Sequence, residues 1–355
     1  MLIKLFLVVL LFFNNTQPVY NKLQIYAQSY VVMDGYTTQV LEGRAIDLQR
    51  SVASISKIMT AMIAIEKGNL SDEVVISKEI EQVYGSMIYC SIGQVYTLEE
   101  LLYGLLLRSG NDAAMMIAKH VGGSIDNFVE MMNEKARELR MVNTVFVNPS
   151  GLDEKDGGNL STAYDMALLM AYASKNDTFN KISGSTTFRS RLKGLWENKN
   201  RLLKIYSKTI SGKTGYTRKA KRTLSTAAKD NDTHLVIVTL NCGGDFALHK
   251  QLYEHYFNKY ERRVLIEKGD LEVEGYKIHV DEEVSYMMEK NKWKDAKLLL
   301  NINLDDKRCY VYLIKNGNDK VLLDSFKFSK ITIKEDDNNW FNSFLNWLKE
   351  VFSFG

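Results

Sequence analysis

The chain has 355 residues, room for two domains, and 45% of them are hydrophobic, the content of a globular protein. Its 46 Lys and Arg nearly balance 43 Asp and Glu for a formal charge of +3. Because the basic residues are scattered, nothing supports nucleic-acid binding. There is no G-x-G-x-x-G, P-loop, H-E-x-x-H or C-x-x-C. The dinucleotide, nucleotide, zinc and dithiol chemistries those strings carry have no starting point, and no cofactor or metal is expected.

Taken from the amino terminus, Lys4 precedes nine uninterrupted apolar residues, Leu5 to Phe13. That run is too short to span a bilayer and suits the core of an export signal. Ala27 is the first plausible cleavage residue, so residues 1–27 are assigned to a signal peptide. Ser29–Asp34 then reads as a strand, followed by a turn and a second extended run, Gln39–Glu42. Ser54 heads an apolar stretch from Ile58 to Ile65 that continues to Lys67 and stops at Gly68, a helix with both ends marked. Leu98–Arg108 and Ala113–His120 are further helical segments. Leu235–Leu240 reads as a buried strand and Phe246–Tyr260 as a helix. This mixture makes residues 28–262 an α+β unit, an antiparallel sheet with a helical cluster.

From Val264 to Ile333 short apolar runs alternate with polar turns, among them Leu271–Glu274, Tyr276–Val280, Lys297–Ile302 and Tyr310–Leu313. That texture predicts a small all-β sandwich over residues 263–334, acting as a spacer. Beyond it, Trp340, Phe341, Phe344, Leu345, Leu348, Val351 and Phe352 fall on one face of a helical wheel. Residues 335–355 are therefore expected to form an amphipathic helix that lies on a membrane surface. Cys90, Cys242 and Cys309 are odd in number and widely spaced, which leaves at least one unpaired. Buried free thiols are the preferred reading.

Chemistry concentrates in three short strings. The first is Ser54-Ile55-Ser56-Lys57. Residues three apart share a helix face, so Lys57 projects beside Ser54. A serine hydroxyl becomes a nucleophile when a neighbouring base takes its proton. A lysine can be that base only when neutral, whereas its free pKa is near ~10.4. Burial and a second cation nearby push the value down, and Lys213 is expected to be that cation. Chance alone produces S-x-x-K roughly once or twice in a chain of this length. Ser190-Arg191-Leu192-Lys193 is such a match, with no helical pattern after it. What distinguishes Ser54 is the ordered company of Ser109-Gly110-Asn111 and Lys213-Thr214-Gly215, the set that marks penicillin-binding proteins and class A β-lactamases.

On these strings the chain resembles the low-molecular-weight penicillin-binding proteins, the D-alanyl-D-alanine carboxypeptidases. Ala53–Ala61 looks like their nucleophile helix and Ser109–Ala114 like their second motif. Asn148–Asp153, Ser161–Ala167, Asn200–Leu203 and Gly212–Thr217 are similar to further family segments. The resemblance runs from about Gln28 to about Tyr260 and implies a penicillin-binding-protein/β-lactamase-like catalytic fold. It further implies that Ser54 attacks the carbonyl of the penultimate D-alanine of a peptidoglycan stem peptide, with Lys57 as general base. Ser109 would relay the proton to the leaving D-alanine, and Asn111 would hold the peptide carbonyl. Lys213 would supply field and orientation, Thr214 and Thr217 would bind the terminal carboxylate, and the backbone N–H groups of Ser54 and Tyr216 (beside Gly215) would form the oxyanion hole. The partners it implies are stem peptides ending in D-Ala-D-Ala and β-lactams as covalent inhibitors, met on the outer face of the cytoplasmic membrane. Many relatives carry histidine where this chain has Tyr216, and Arg218-Lys219-Ala220-Lys221-Arg222 is unusually basic. A β-lactamase and a catalytically silent wall-binding homologue are the alternatives.

Overall fold

The computed structural model describes residues 24–153, 157–273, 275–315 and 319–330. The hydrophobic core of the signal segment and the amphipathic helix expected over residues 335–355 lie outside the described residues. Among the described residues, no helix is long and apolar enough to cross a membrane.

Five strands make the central sheet: β1 (Ser29–Asp34), β2 (Val40–Arg44), β3 (Thr209–Thr217), β4 (Lys221–Asp230) and β5 (Thr233–Leu240). Their spatial order is β2-β1-β5-β4-β3, and every neighbouring pair is antiparallel. The first strand is thus sewn between its own hairpin partner and the last strand. All six residues of β1 are buried, which requires cover on both faces. Side chains alternate across a strand, and the two sets go to two cores. Val31, Met33, Val236 and Val238 join the helical cluster. Tyr30, Val32, Leu235 and Ile237 face the opposite core with Leu252 and Tyr253.

The cluster contains α1 (Lys57–Lys67), α2 (Leu98–Leu107), α3 (Asn111–Gly122), α4 (Ile125–Glu138), α5 (Ala163–Ala173) and α6 (Asp177–Ser183). On the other face of the sheet, Leu202 of the single turn α7 (Leu202–Ile205) joins the main cover, α8 (Asp245–Lys259). Thr97, Ser124, Thr162 and Asn176 cap α2, α4, α5 and α6 with side-chain oxygens. In α1, the residues from Lys57 to Ala64 are all buried. A helix apolar all round belongs in the interior, and α1 is the axis of the cluster.

After α8 the described residues are mainly strands. β6 (Tyr260–Ile266) pairs with β9 (Val284–Glu289). The second sheet contains β7 (Gly269–Val273), β8 (Tyr276–Val280), β10 (Lys297–Asn303), β11 (Arg308–Lys315) and β12 (Asp319–Lys330), in the order β7-β8-β12-β11-β10. Ile266, Ile278, Val280, Val284, Val311 and Phe326 form its core. Strand structure begins directly at Tyr260, ahead of the Val264 boundary read from sequence, because Glu261, Arg262 and Arg263 interrupt the apolar pattern. The join to the first unit includes a reciprocal pair of bonds. Gln39 Nε2 donates to Met287 O at 3.0 Å, and Met287 N–H donates to Gln39 Oε1 at 3.2 Å. Cys242 and Cys309 are buried free thiols, and Cys90 is half-buried and free.

One loop between α4 and α5 braces the head of α1. Asn159 Oδ1 accepts the N–H groups of Val147 (2.8 Å) and Asn148 (3.1 Å), and its Nδ2 donates to Asn148 O at 2.9 Å. Asn148 Oδ1 in turn accepts from the N–H groups of Ser150 (3.2 Å) and Gly151 (2.7 Å). Gly151 has φ +76°, and a Cβ there would stand 2.1 Å from Ala53 O. The Asn148–Gly151 turn is thereby clamped against the start of α1. Replacing Asn159 by Ala strands buried amides, each costing about 1–3 kcal/mol. We expect Asn159→Ala to lower the urea midpoint by at least that equivalent, with the m-value unchanged.

Candidate active site

Ser54 lies in a 3-10 turn, Ala53–Ser56, that runs straight into α1. Ala53 is held at φ 50° and Ser109 at φ 63°, a region costly for residues with a Cβ. The departure from ordinary backbone therefore falls beside two of the predicted site residues. Lys57 is fully buried. Its Nζ lies 3.1 Å from Ser54 Oγ and 2.7 Å from Asn111 Oδ1, and it also donates to Ser150 O. A neutral amine has two N–H bonds and one lone pair. In that form the two carbonyl oxygens can take the N–H bonds and the lone pair can face the Ser54 hydroxyl, whereas the ammonium donates to all three oxygens. Burial lowers the Lys57 ammonium from 10.5 to about 7, with Lys199 acting in the same direction and Asp112 against it.

Asn111 is fixed at both ends, since its backbone N–H donates to Ser86 O at 2.7 Å and its Nδ2 to Tyr84 O at 2.6 Å. One Nδ2 hydrogen remains for a ligand. The adjoining Asp112 accepts from Ile88 N (3.0 Å) and Cys90 N (3.1 Å), so the second motif also grips the loop that supplies Ser86. Lys213 is buried, with Nζ 3.1 Å from Ser109 Oγ and 2.6 Å from Thr214 O. Burial, then Lys57 and Lys199, hold its ammonium well below the ordinary lysine value. The sequence expectation named Lys213 as the cation acting on Lys57. The structure corrects this and puts Lys199, which sequence reading did not single out, in that role, while Lys213 is itself a buried amine lowered by burial and then by Lys57 and Lys199.

β3 is the edge strand of the sheet and comes hard against the head of α1. A Cβ on Gly215 would meet Thr223 Oγ1 at 2.4 Å and Ser54 N at 3.0 Å. Glycine is required there so that the strand backbone and the Ser54 amide can share one cleft. The open cavity between them, of about 390 Å³, is lined by Ser54, Ser109, Thr214, Gly215 and Tyr216, together with Ser86, Lys199, Arg201, Arg222 and Phe246. Tyr216 is exposed at the mouth. Thr217 stands apart from this lining, with its Oγ1 accepting from Ala220 N at 2.9 Å in the turn that ends β3. In the basic stretch, Arg218 and Lys219 are exposed, while Arg222 turns into the cleft. Arg222 is held bidentately by buried Asp245, at 2.7 and 3.2 Å. The Phe246 ring has the Arg201 guanidinium 5.1 Å away and that of Arg222 5.4 Å away.

The competing S-x-x-K string sits elsewhere, at the turn between extended runs Thr187–Ser190 and Gly194–Glu197, where Ser190 Oγ donates to Glu100 Oε1 at 2.6 Å. A larger cavity of about 540 Å³ between the two units, lined by Tyr36, Lys175, Arg262 and Tyr286 among others, contains none of the motif residues. Among the described residues there is no His, Cys, Asp and Glu grouping that could hold a metal.

The profile of the D-alanyl-D-alanine carboxypeptidase family matches residues 14–244, the stretch that carries all three motifs. The chain belongs to that family. A D-alanyl-D-alanine carboxypeptidase of Bacillus subtilis is 34% identical over 257 residues, covering 68% of this chain and 65% of the relative. One from Mycobacterium tuberculosis is 37% identical over 217 residues, covering 60% and 74%. The chain thus spans just under two thirds of the Bacillus relative and about three quarters of the mycobacterial one. Among solved structures, a D-alanyl-D-alanine carboxypeptidase from Mycobacterium tuberculosis superposes with a TM-score of 0.62 at 33% identity, covering 67% of this chain and 95% of that one. Penicillin binding protein 5 from Haemophilus influenzae gives 0.77 at 24% identity over 87% and 99%, which is a likeness of fold.

The site residues missed in the sequence are Ser150 beside Lys57 and Ser86, Lys199 and Arg201 in the cleft lining, whereas Arg222 stood in the basic stretch whose arginines could meet an anionic terminus. Ser150 and Arg201 stood inside segments similar to the family. Ser150 acts through its backbone oxygen, which residue identity does not report.

The Lys57 environment sets a pH dependence. Since the folded amine of Lys57 loses its proton near 7 and the unfolded one near 10.5, the rate of Ser54 acylation should rise with pH through about 7. Stability should also rise with pH from about 7 to 10.5, because across that window the unfolded chain binds the extra proton; stopped-flow acylation and urea titrations at stepped pH check both. Gly215→Ala should slow acylation about a hundredfold, the scale of a disrupted oxyanion hole, with the far-UV circular dichroism unchanged.

Proposed function

We propose that this protein is a serine D-Ala-D-Ala carboxypeptidase that removes the terminal D-alanine of peptidoglycan stem peptides through a Ser54 acyl-enzyme and is inhibited by penicillin. One observation carries the reading: the buried Lys57 Nζ is within hydrogen-bond reach of Ser54 Oγ and of two carbonyl oxygens, so that once neutral, with both N–H bonds on the carbonyls, it turns its lone pair to Ser54 Oγ. Lys57 takes the hydroxyl proton as Ser54 Oγ bonds to the penultimate D-alanine carbonyl carbon. The oxygen of that carbonyl becomes an oxyanion facing the Ser54 and Tyr216 N–H groups, in the narrow cleft that Gly215 permits. Ser109, held by Lys213 Nζ, relays the proton to the departing D-alanine nitrogen as the peptide bond breaks. Water then cleaves the ester and restores Ser54. The free Nδ2 hydrogen of Asn111 binds the substrate's peptide carbonyl.

The terminal carboxylate is bound by Thr214, with Thr217 at the end of the strand. Arg201 and Arg222, gathered round Phe246 at the same side of the cleft, supply its counter-charge. Residues 1–27 are an export signal, residues 263–334 a β-sandwich spacer, and residues 335–355 an amphipathic helix resting on the membrane surface. That arrangement sets the cleft on the outer side of the cytoplasmic membrane, within reach of the wall.

The test is intact-mass spectrometry after exposure to benzylpenicillin, alongside D-alanine release from a peptide ending in D-Ala-D-Ala. The expected result is a long-lived adduct mapping to Ser54 and stoichiometric release, with both absent in Ser54→Ala. An adduct that persists in Ser54→Ala overturns the assignment. Rapid penicillin turnover in place of a lasting adduct would make the enzyme a β-lactamase.

A further inference from the structure

The cleft carries more positive charge than the proposed reaction uses. On that reading the substrate brings one carboxylate, at its terminus, and Arg201 and Arg222 with Thr214 stand where it would be met. Lys199 also lines the cleft, and its bonds place it on a different wall. Its backbone N–H donates to Leu107 O at the end of α2, at 3.1 Å. Its Nζ donates to Ser86 Oγ at 2.9 Å, and Ser86 O receives the Asn111 N–H. Lys199 is therefore joined to the second-motif side, where Asn111 faces the acyl half of the peptide. Arg222 has its own carboxylate in Asp245, but no such partner serves Lys199 among the described residues. Burial, then the neighbouring Arg108 cation, lower its ammonium, and its field is also felt at Lys57 and Lys213, so every charge coupled to it is a cation. The Lys199 side chain is solvent-accessible, so an incoming ligand can reach it.

We propose that Lys199 is the receptor for a second carboxylate, carried on the acyl half of the substrate. The cleft then selects stem peptides bearing a free acidic group over counterparts in which that group is amidated. This rests on the acyl-enzyme reading and refines its substrate class. An ammonium with hydroxyl company and no acid partner gains most from an anion delivered by the ligand, since charge-assisted hydrogen bonds are roughly twice as strong as neutral ones.

Two penicillins that differ by one carboxylate test it: benzylpenicillin and its α-carboxy derivative. The quantity read is the ratio of their second-order acylation constants at Ser54, dianion over monoanion, at low ionic strength. We expect that ratio to fall roughly tenfold in Lys199→Met and in Lys199→Gln, and to be largely retained in Lys199→Arg; a charged hydrogen bond has that scale. A ratio equal in wild type and both neutral variants overturns the proposal while leaving the carboxypeptidase reading intact. Failure of either penicillin to acylate wild-type Ser54 overturns that reading, and this proposal with it.

Discussion

The whole site hangs on one buried amine made ready to lose its proton near neutrality. Lys57 Nζ is out of contact with solvent, fastened by the Asn111 and Ser150 oxygens, and aimed at Ser54. Displacing its proton equilibrium from 10.5 to about 7 costs the fold on the order of 5 kcal/mol below neutrality, at ~1.4 kcal/mol per unit. On the proposed mechanism the return is a base ready near neutral pH next to the Ser54 hydroxyl. Neither carbonyl could be given up lightly, because each fixes one N–H and so orients the lone pair.

That constraint explains why distant segments are packed so tightly around the head of α1. The Asn148–Gly151 turn has to deliver a backbone oxygen, and two asparagines together with a left-handed glycine hold it in place. α3 has to begin at Asn111 so that its side chain can reach inward while its backbone is tied to Ser86. β3 must approach the Ser54 amide to within reach of one carbonyl oxygen, and a side chain at residue 215 would forbid it. The left-handed conformations of Ala53 and Ser109 are sustained by this surrounding packing.

Much of the fold was legible, for specific reasons. Helix α1 is apolar on every face and ends at Gly68, so its burial and its extent both show in the pattern. β5 carries the apolar run Leu235–Val238, closed by Leu240, over a strand's length. By contrast β6 starts among Glu261, Arg262 and Arg263, whose pairing with β9 is set by long-range register that local charge conceals. That α8 packs on the face opposite the helical cluster was also hidden, because both faces of β1 and β5 are apolar and the alternation has no polar phase to read.

The residues proposed as nucleophile and base, and the serine, asparagine and lysine of the later motifs, were picked out by the sequence alone. Their residue types and order carry the chemistry, and the i, i+3 spacing alone puts Ser54 and Lys57 on one face. The tertiary structure adds why Ser190, already set aside for want of a helical pattern and of motif company, is engaged elsewhere: its Oγ is bonded to Glu100 in a turn. It alone supplied the Ser150 oxygen, the Arg222–Asp245 pair and the Lys199 ammonium. A backbone carbonyl has no letter of its own, and a lysine among 46 cationic residues gains a role only from what stands within a few ångströms of it.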